Sequence, residues 1–175
     1  HMKKLVLHAS WEHRLHRLAD AIQQAHSMKR STVVLTGEIA RASWLTQQLS
    51  RLTGLQITLA HPSSQSARWP QNQGQTPSVV VGTRSAIFSP LQSIGLIWVE
   101  GEEDPSLKEP QEPRYHAREV ASLRAESERA LVVLASAHPS LESRFDTEAE
   151  IHHVPQEVAL QPTIELVDLR NESAR

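Results

Sequence analysis

The sequence predicts an α/β protein built on a doubly wound parallel sheet, and three observations carry that expectation. Val79-Val80-Val81, Leu96-Ile97-Trp98-Val99 and Ala130–Ala135 are short, unbroken apolar runs, the pattern of strands buried on both faces. Segments with helical spacing alternate with such runs along the chain, which implies parallel strands joined by crossover helices. The first two runs end at polar loops, Gly82-Thr83-Arg84-Ser85 and Glu100-Gly101-Glu102-Glu103-Asp104, at the carboxyl edge where sheets of this class hold ligands.

Taken in order, Lys4–His8 reads as a first strand. Ser10 stands at an N-cap position and Glu12 in a first helical turn, where the helix dipole favours an acid. Leu15, Leu18, Ala19 and Ile22 then recur at helical spacing. Thr32–Thr36 is a second strand. Ile39, Ala42, Leu45, Leu49 and Leu52 mark a second helix that Gly54 stops, and Gln56–Ala60 a third strand. His61–Pro77, rich in Pro, Ser, Gln and Asn, reads as a long surface connection with one helical turn near Ala67. After the central stretch, Asp104–Pro113 carries three prolines and reads as a loop, and Arg114–Arg129 as a charged, alanine-rich helix. Pro139 and Ser140 introduce a short helix through Phe145. Ile151–Val154 and Ile164–Leu169 read as two further strands.

Composition narrows the function classes. At 175 residues the expectation is one domain with a sizeable core, and 39% hydrophobic with 22% charged residues fits a globular protein. A net charge of -2 argues against a strongly basic nucleic-acid surface but leaves room for a local groove. Without cysteine, the chain has neither disulfides nor thiolate metal sites. With no bilayer-length apolar run and no signal-peptide pattern, the expected location is cytoplasmic, with no membrane partner. His1-Met2 looks like the remnant of an expression tag.

Three collinear segments then carry a resemblance: GTRSAIFSPLQSIGLIWVE, EPRYHAREVASLRA and SAHPSLES, extended by Gly37-Glu38-Ile39-Ala40 upstream and Glu165-Leu166-Val167-Asp168-Leu169 downstream. Together they are similar to the first motor lobe of the primosomal replication-restart helicase family, over nearly the whole chain from Leu5 to Arg170. The resemblance implies a RecA-like, three-layer lobe of a superfamily-two helicase spanning residues 3–170. It also implies a longer parent protein with an amino-terminal DNA-binding region, a second lobe and, in that second lobe, a zinc site.

Against that family pattern the nucleotide chemistry is depleted. A phosphate loop needs glycines, so that bare amides wrap the phosphates, and one lysine. The equivalent segment here is His8-Ala9-Ser10-Trp11-Glu12-His13-Arg14; the first glycine in the chain is Gly37, and no Gly-Lys pair occurs. Glu12 brings negative charge to the place of the phosphates, and Ser10 reads as a structural cap rather than a magnesium ligand. The family's Asp-Glu pair, which binds magnesium and orients water, falls on Glu100 and Gly101. Glu102, Glu103 and Asp104 read as a solvated acidic loop in preference to a rebuilt catalytic centre. The family's Ser-Ala-Thr triad is Ser136-Ala137-His138. The resulting expectation is no catalytic residues, no bound cofactor and no metal within this chain.

The DNA-facing elements match better. The resemblance places Thr83, Arg84 and Ser85 in a loop that touches a single-strand backbone, a role to which a hydroxyl, exposed amides and an arginine are suited. The alternative for Arg84 is a bridge to an acid across a βα turn. Arg114, Tyr115 and Arg118 match the end of an aromatic-rich strand-sensing loop, for which base stacking is the physical rationale. Leu107 and Pro113 replace aromatics there, and the alternative role for Tyr115 is packing at the helix start. His13 and His16 lack an evident third ligand. His152 and His153, adjacent on a strand, point to opposite faces. Trp11, Trp44, Trp69 and Trp98 read as core or half-buried anchors.

The resemblance therefore leads to a non-catalytic DNA- and partner-binding lobe that helps load replication machinery at stalled forks without unwinding DNA. Its partners would be forked or single-stranded DNA, the other domains of the parent and primosome and replication proteins. The alternative is an active ATP-dependent helicase lobe with an atypical nucleotide site, and beyond it a purely structural spacer.

Overall fold

The computed structural model describes residues 3–60 and 77–155. Among these described residues seven strands, all parallel, form one sheet: β1 (Lys3–His8), β2 (Ser31–Leu35), β3 (Ile57–Ala60), β4 (Val79–Gly82), β5 (Ile94–Glu100), β6 (Leu131–Ser136) and β7 (Ala149–His153). Their spatial order is β3-β4-β2-β5-β6-β1-β7. The central strands are those whose sequence is apolar without interruption. Val80, Val81, Ile97, Val99 and Val132 are fully buried, as strands covered on both faces must be.

Alternation along each strand divides the core into two layers. One face carries Leu7, Val34, Val81, Trp98 and Val133 against helices α1 (Trp11–Ser27) and α2 (Ile39–Thr53), which supply Leu18, Ile22, Leu45 and Leu49. The other carries Val6, Val33, Ile97, Val99 and Leu134 against helix α3 (Ala117–Glu128), with Ala117, Ala121 and Ala125, and a 3-10 turn, Arg84–Phe88, with Ala86 and Ile87. The alanine stripe of α3 lets that helix sit close to the sheet. A short helix α4 (Leu141–Arg144) precedes the edge strand β7. The three-layer architecture is the one the alternation of elements predicts.

Several boundaries move for local reasons. The α3 helix begins at Ala117 rather than Arg114, because the imidazole of His116 accepts from the Arg118 amide (3.2 Å) and fixes the cap there. Ser10 stands at the N-cap of α1 in extended backbone, but its hydroxyl makes no cap bond; only its carbonyl enters the helix, accepting from Arg14 N (3.0 Å). Gly54 ends α2 at φ 71°, as the stop signal predicts. The loop from Asp104 to Pro113 contains one 3-10 turn, Pro105–Leu107, capped by the Asp104 carboxylate. Ser140 caps α4 through its hydroxyl. Most of the connection predicted at His61–Pro77, with Trp69, and the strand predicted at Ile164–Leu169 lie outside the described residues.

Candidate functional site

Because every strand is parallel, the loops after β1, β2, β4, β5 and β6 gather along one edge of the sheet. At the middle of that edge the carboxylate of Glu100, last residue of β5, is buried. Its Oε1 accepts from Arg14 Nε (2.9 Å), Arg14 Nη2 (2.7 Å) and Arg41 Nη2 (3.2 Å), and its Oε2 from the indole of Trp98 (3.2 Å). Arg14 is itself 5% exposed and also donates to the carbonyl of Ala9 (2.6 Å), at the turn joining β1 to α1. Its guanidinium lies 5.6 Å from the Trp11 ring, that of Arg41 lies 4.9 Å from it, and Trp11 packs against Trp44 at 5.2 Å. Two arginines, two tryptophans tilted at 49° and one carboxylate thus gather between the end of β1 and the end of β5. Trp98 is a core residue, Trp11 is half-buried, and Trp44 is partly exposed.

Arg14 was invisible as a functional residue in the sequence, yet a signal existed. It falls in register with Leu18, Ile22 and Ala25 on the buried stripe of α1, and an arginine on an apolar stripe must find a buried anion.

The acidic loop departs from its solvated reading at one residue: Glu103 is exposed and Asp104 half-buried, but Glu102 turns inward. Glu102 is 0% exposed and ties three elements together. It accepts from Arg118 Nη1 (2.7 Å) on α3, from the amide (2.6 Å) and hydroxyl (3.0 Å) of Ser140, and from the hydroxyl of Ser143 on α4 (2.8 Å). Gly101, between the two buried acids, adopts φ 66°, a left-handed turn that L side chains rarely enter. Its conformation bends the chain, so that Glu100 faces α1 while Glu102 faces α3 and α4.

Further along the same edge are the residues predicted to face DNA. Thr83 is half-buried at the start of the 3-10 turn, and Ser85 is exposed. Arg84 bridges to an acid: its Nε donates to Glu109 Oε2 (2.8 Å) and its Nη1 to the carbonyl of Ser106 (3.3 Å). The donated hydrogen bond from Arg84, with that of the Gln111 amide, holds the Glu109 carboxyl below its usual range. Arg114 is exposed and pairs with equally exposed Glu112 at 3.2 Å. Tyr115 meets Phe88 edge-to-face at 5.3 Å; burial first, and the nearby Glu109 charge second, push its phenol upward. Phe88, 59% exposed, is an aromatic that the sequence reading passed over. Arg118 faces inward to Glu102. The edge thus brings together Thr83, Arg84, Ser85, Tyr115 and Phe88, leaves Arg114 as an outlying cation, and assigns Arg118 to an internal network. Arg124 of α3 was also missed; it fastens the helix to the β4–β5 connection through the carbonyls of Ile87, Ser89 and Leu91.

His13 and His16 are both exposed on α1. Among the described residues, no three His, Cys, Asp or Glu side chains are grouped to hold a metal ion. No helix among them is long and apolar enough to cross a membrane.

A parallel sheet in this strand order, helices on both faces and functional loops on its carboxyl edge define a RecA-like lobe. Solved structures agree. S. cerevisiae Dbp5 bound to RNA and ADP BeF3 matches with a TM-score of 0.55 at 13% identity, over 88% of this chain and 42% of that one. A Dbp5 variant bound to Gle1 and IP6 matches with a TM-score of 0.58 at 11% identity, over 88% and 42%. At such identities the likeness establishes the fold alone. No protein-family model matches the chain.

Sequence comparison goes further. Replication restart protein PriA of Synechocystis sp. is 37% identical over 157 residues, covering 82% of this chain and 19% of that protein. PriA of Bacillus subtilis is 32% identical over 163 residues, 87% of this chain and 20% of that protein. PriA of Chlamydia pneumoniae is 37% identical over 128 residues, 70% and 17%. The chain belongs to the PriA family of replication restart proteins, matching its helicase-like lobe, and spans about a fifth of the length of these relatives.

Proposed function

We propose that this lobe is a non-catalytic, DNA- and partner-binding module of a replication-restart protein, one that helps load replication machinery at stalled forks without ATP-driven unwinding. The observation that carries the reading is the engagement of the buried Glu100 carboxylate by two arginines. Its Oε1 takes two N–H groups from Arg14 and one from Arg41, and its Oε2 takes the indole of Trp98. In an active relative this position supplies its acid to magnesium. Here the residues do not fit a metal–nucleotide group: the carboxylate is already neutralised, and Trp11 with Arg14 fills the turn where bare glycine amides are needed. Gly101 leaves the water-orienting role without a side chain. Glu102 is no substitute, since swinging toward Glu100 would strip Arg118, Ser140 and Ser143 of their shared acceptor.

For DNA, the reading assigns direct phosphate contacts to Thr83, Ser85 and Arg114, with Arg84, Tyr115 and Arg118 shaping the loops that present them. Phe88 beside Tyr115 adds an exposed ring on which a base could stack. Calorimetric titration with magnesium and ATP, joined to a DNA-stimulated phosphate-release assay on the full-length protein, tests the reading. The expected result is no binding in the micromolar range and no turnover. Micromolar binding, or turnover abolished by Glu102→Gln, would restore an ATP-dependent helicase lobe.

A further inference from the structure

Each of the three arginines that the sequence assigns to DNA stands beside a carboxylate, and exposure separates the three pairs. Arg118 and Glu102 belong to the internal network of α3 and α4, with the acid wholly buried. Arg114 and Glu112 both lie in solvent, where such a pair holds its partners weakly. Arg84 and Glu109 fall between. Their side chains are 31% and 20% exposed, open enough for a ligand to reach and sheltered enough for the pairing to count.

The contact occupies the part of Arg84 that suits phosphate. A guanidinium offers a pair of oxygens a side-on fork made of its Nε and Nη2 N–H groups. In Arg84 one arm of that fork, Nε, donates to Glu109 Oε2 (2.8 Å), while Nη1, outside the fork, donates to the Ser106 carbonyl (3.3 Å). Nη2 has no acceptor among the described residues. Glu109 is anchored through its backbone: its amide donates to the Tyr115 carbonyl (2.8 Å), and neighbouring Lys108 bridges to His116. Its second oxygen accepts from the Gln111 amide (3.1 Å). Turning the Glu109 side chain is therefore enough to free the fork, with Arg84 still tied to Ser106.

We propose that the Arg84–Glu109 pair is an autoinhibitory contact, in which Glu109 stands in for a strand phosphate and a single strand engages the Thr83–Ser85 loop by displacing it. The proposal rests on the DNA reading above and adds its regulation. Arg84 shapes the loop while the strand is absent and becomes a phosphate contact once the strand is bound. Carboxylate and phosphate are both anionic oxygen acceptors, so they compete for the same N–H groups. Releasing Glu109 costs little, because the pair is partly exposed, but the cost falls on any anion that enters. A lone phosphate has only the fork of Arg84 to offset it. A strand has Thr83, Ser85 and Arg114 as well, so the contact favours strands over small anions.

The test is binding of a labelled oligothymidylate to the 175-residue chain at low salt, arranged as a double-variant cycle. Glu109→Gln and Glu109→Ala should each raise affinity about three- to fivefold, and Arg84→Ala should lower it. In the Arg84→Ala background Glu109→Gln should give no gain, because the group it guards is gone. Glu103→Gln, which removes an exposed charge from the loop after β5, should change affinity by less than about twofold. Wild-type binding with no gain in either Glu109 variant would overturn the autoinhibitory contact and leave the DNA reading standing. An equal gain without Arg84, or from Glu103→Gln, would do the same. No binding by wild type or by either Glu109 variant would overturn both.

Discussion

The Arg14–Glu100 pair makes the sharpest energetic demand at the scale of single residues. Both side chains are almost wholly buried, and removing one partner of such a pair leaves the other charge stranded, at a cost of about 3–5 kcal/mol. Arg14→Met should therefore lower stability by that amount in urea melts, and adding Glu100→Met should recover much of the loss. A single variant within about 1 kcal/mol of wild type would show that the pair is not desolvated as described. Arg41, nearly half exposed, should matter far less, by about 1 kcal/mol or under on replacement. Gly101 behaves differently again. Restoring the family's acid by Gly101→Glu places a side chain at φ 66°, and should cost about 1–2 kcal/mol without conferring ATP hydrolysis. Measurable turnover in that variant would mean the left-handed turn yields.

The α3 helix supplies the test at the scale of elements. Its N-cap is an imidazole, and His116 must keep Nδ1 unprotonated to accept from the Arg118 amide. Burial first, then the charge of Arg118, lowers the His116 pKa from its ordinary 6.5; His8 is shifted the same way. In both cases the unfolded chain takes up its proton at a higher pH than the folded one. Stability is therefore complete above the unfolded value and is lost as pH falls below about 6.5, until the folded groups also protonate. Thermal melts should show Tm falling from about pH 7.5 to about pH 5.5. His116→Asn, which keeps a cap without a titrating ring, should flatten part of that fall; an unchanged slope would remove His116 as a source. At the other end of α3, Arg129 sits at φ 53°. Arg129→Gly should raise stability by about 0.5–1 kcal/mol, since glycine enters that conformation without a Cβ penalty.

At the scale of the whole molecule, the net charge of -2 offers no general attraction to nucleic acid, so affinity has to come from a few local contacts. Binding of a labelled forked oligonucleotide should be weak, with a slope of log affinity against log salt of about -0.7 per phosphate contacted on single strands. Arg84→Ala with Arg114→Ala should weaken it, and equal affinity in the double variant would dismiss this edge as the interface. The two losses have different causes: Arg114 is exposed and gives up a charge, whereas Arg84 releases Glu109 and the Ser106 carbonyl and loosens the loop.

By itself the sequence determined the layers and the absence of a glycine-lysine phosphate loop. Unbroken runs such as Val79-Val80-Val81 fit strands covered on both faces, and the absence of a Gly-Lys pair is read directly from the residues. It could not determine what stands in the place of that chemistry. Glu100 and Glu102 look alike in a row of acids, and reading Glu102 with Glu103 and Asp104 as solvated was reasonable because lone carboxylates avoid burial. Their fates were decided by Arg14, Arg41, Arg118 and Ser140, which lie far away in sequence and meet the acids only once the parallel order of strands brings their loops to one edge. Charge pairing across such separations leaves no local period to read, and so the tertiary structure alone set Arg14 against Glu100 and His8 against His153.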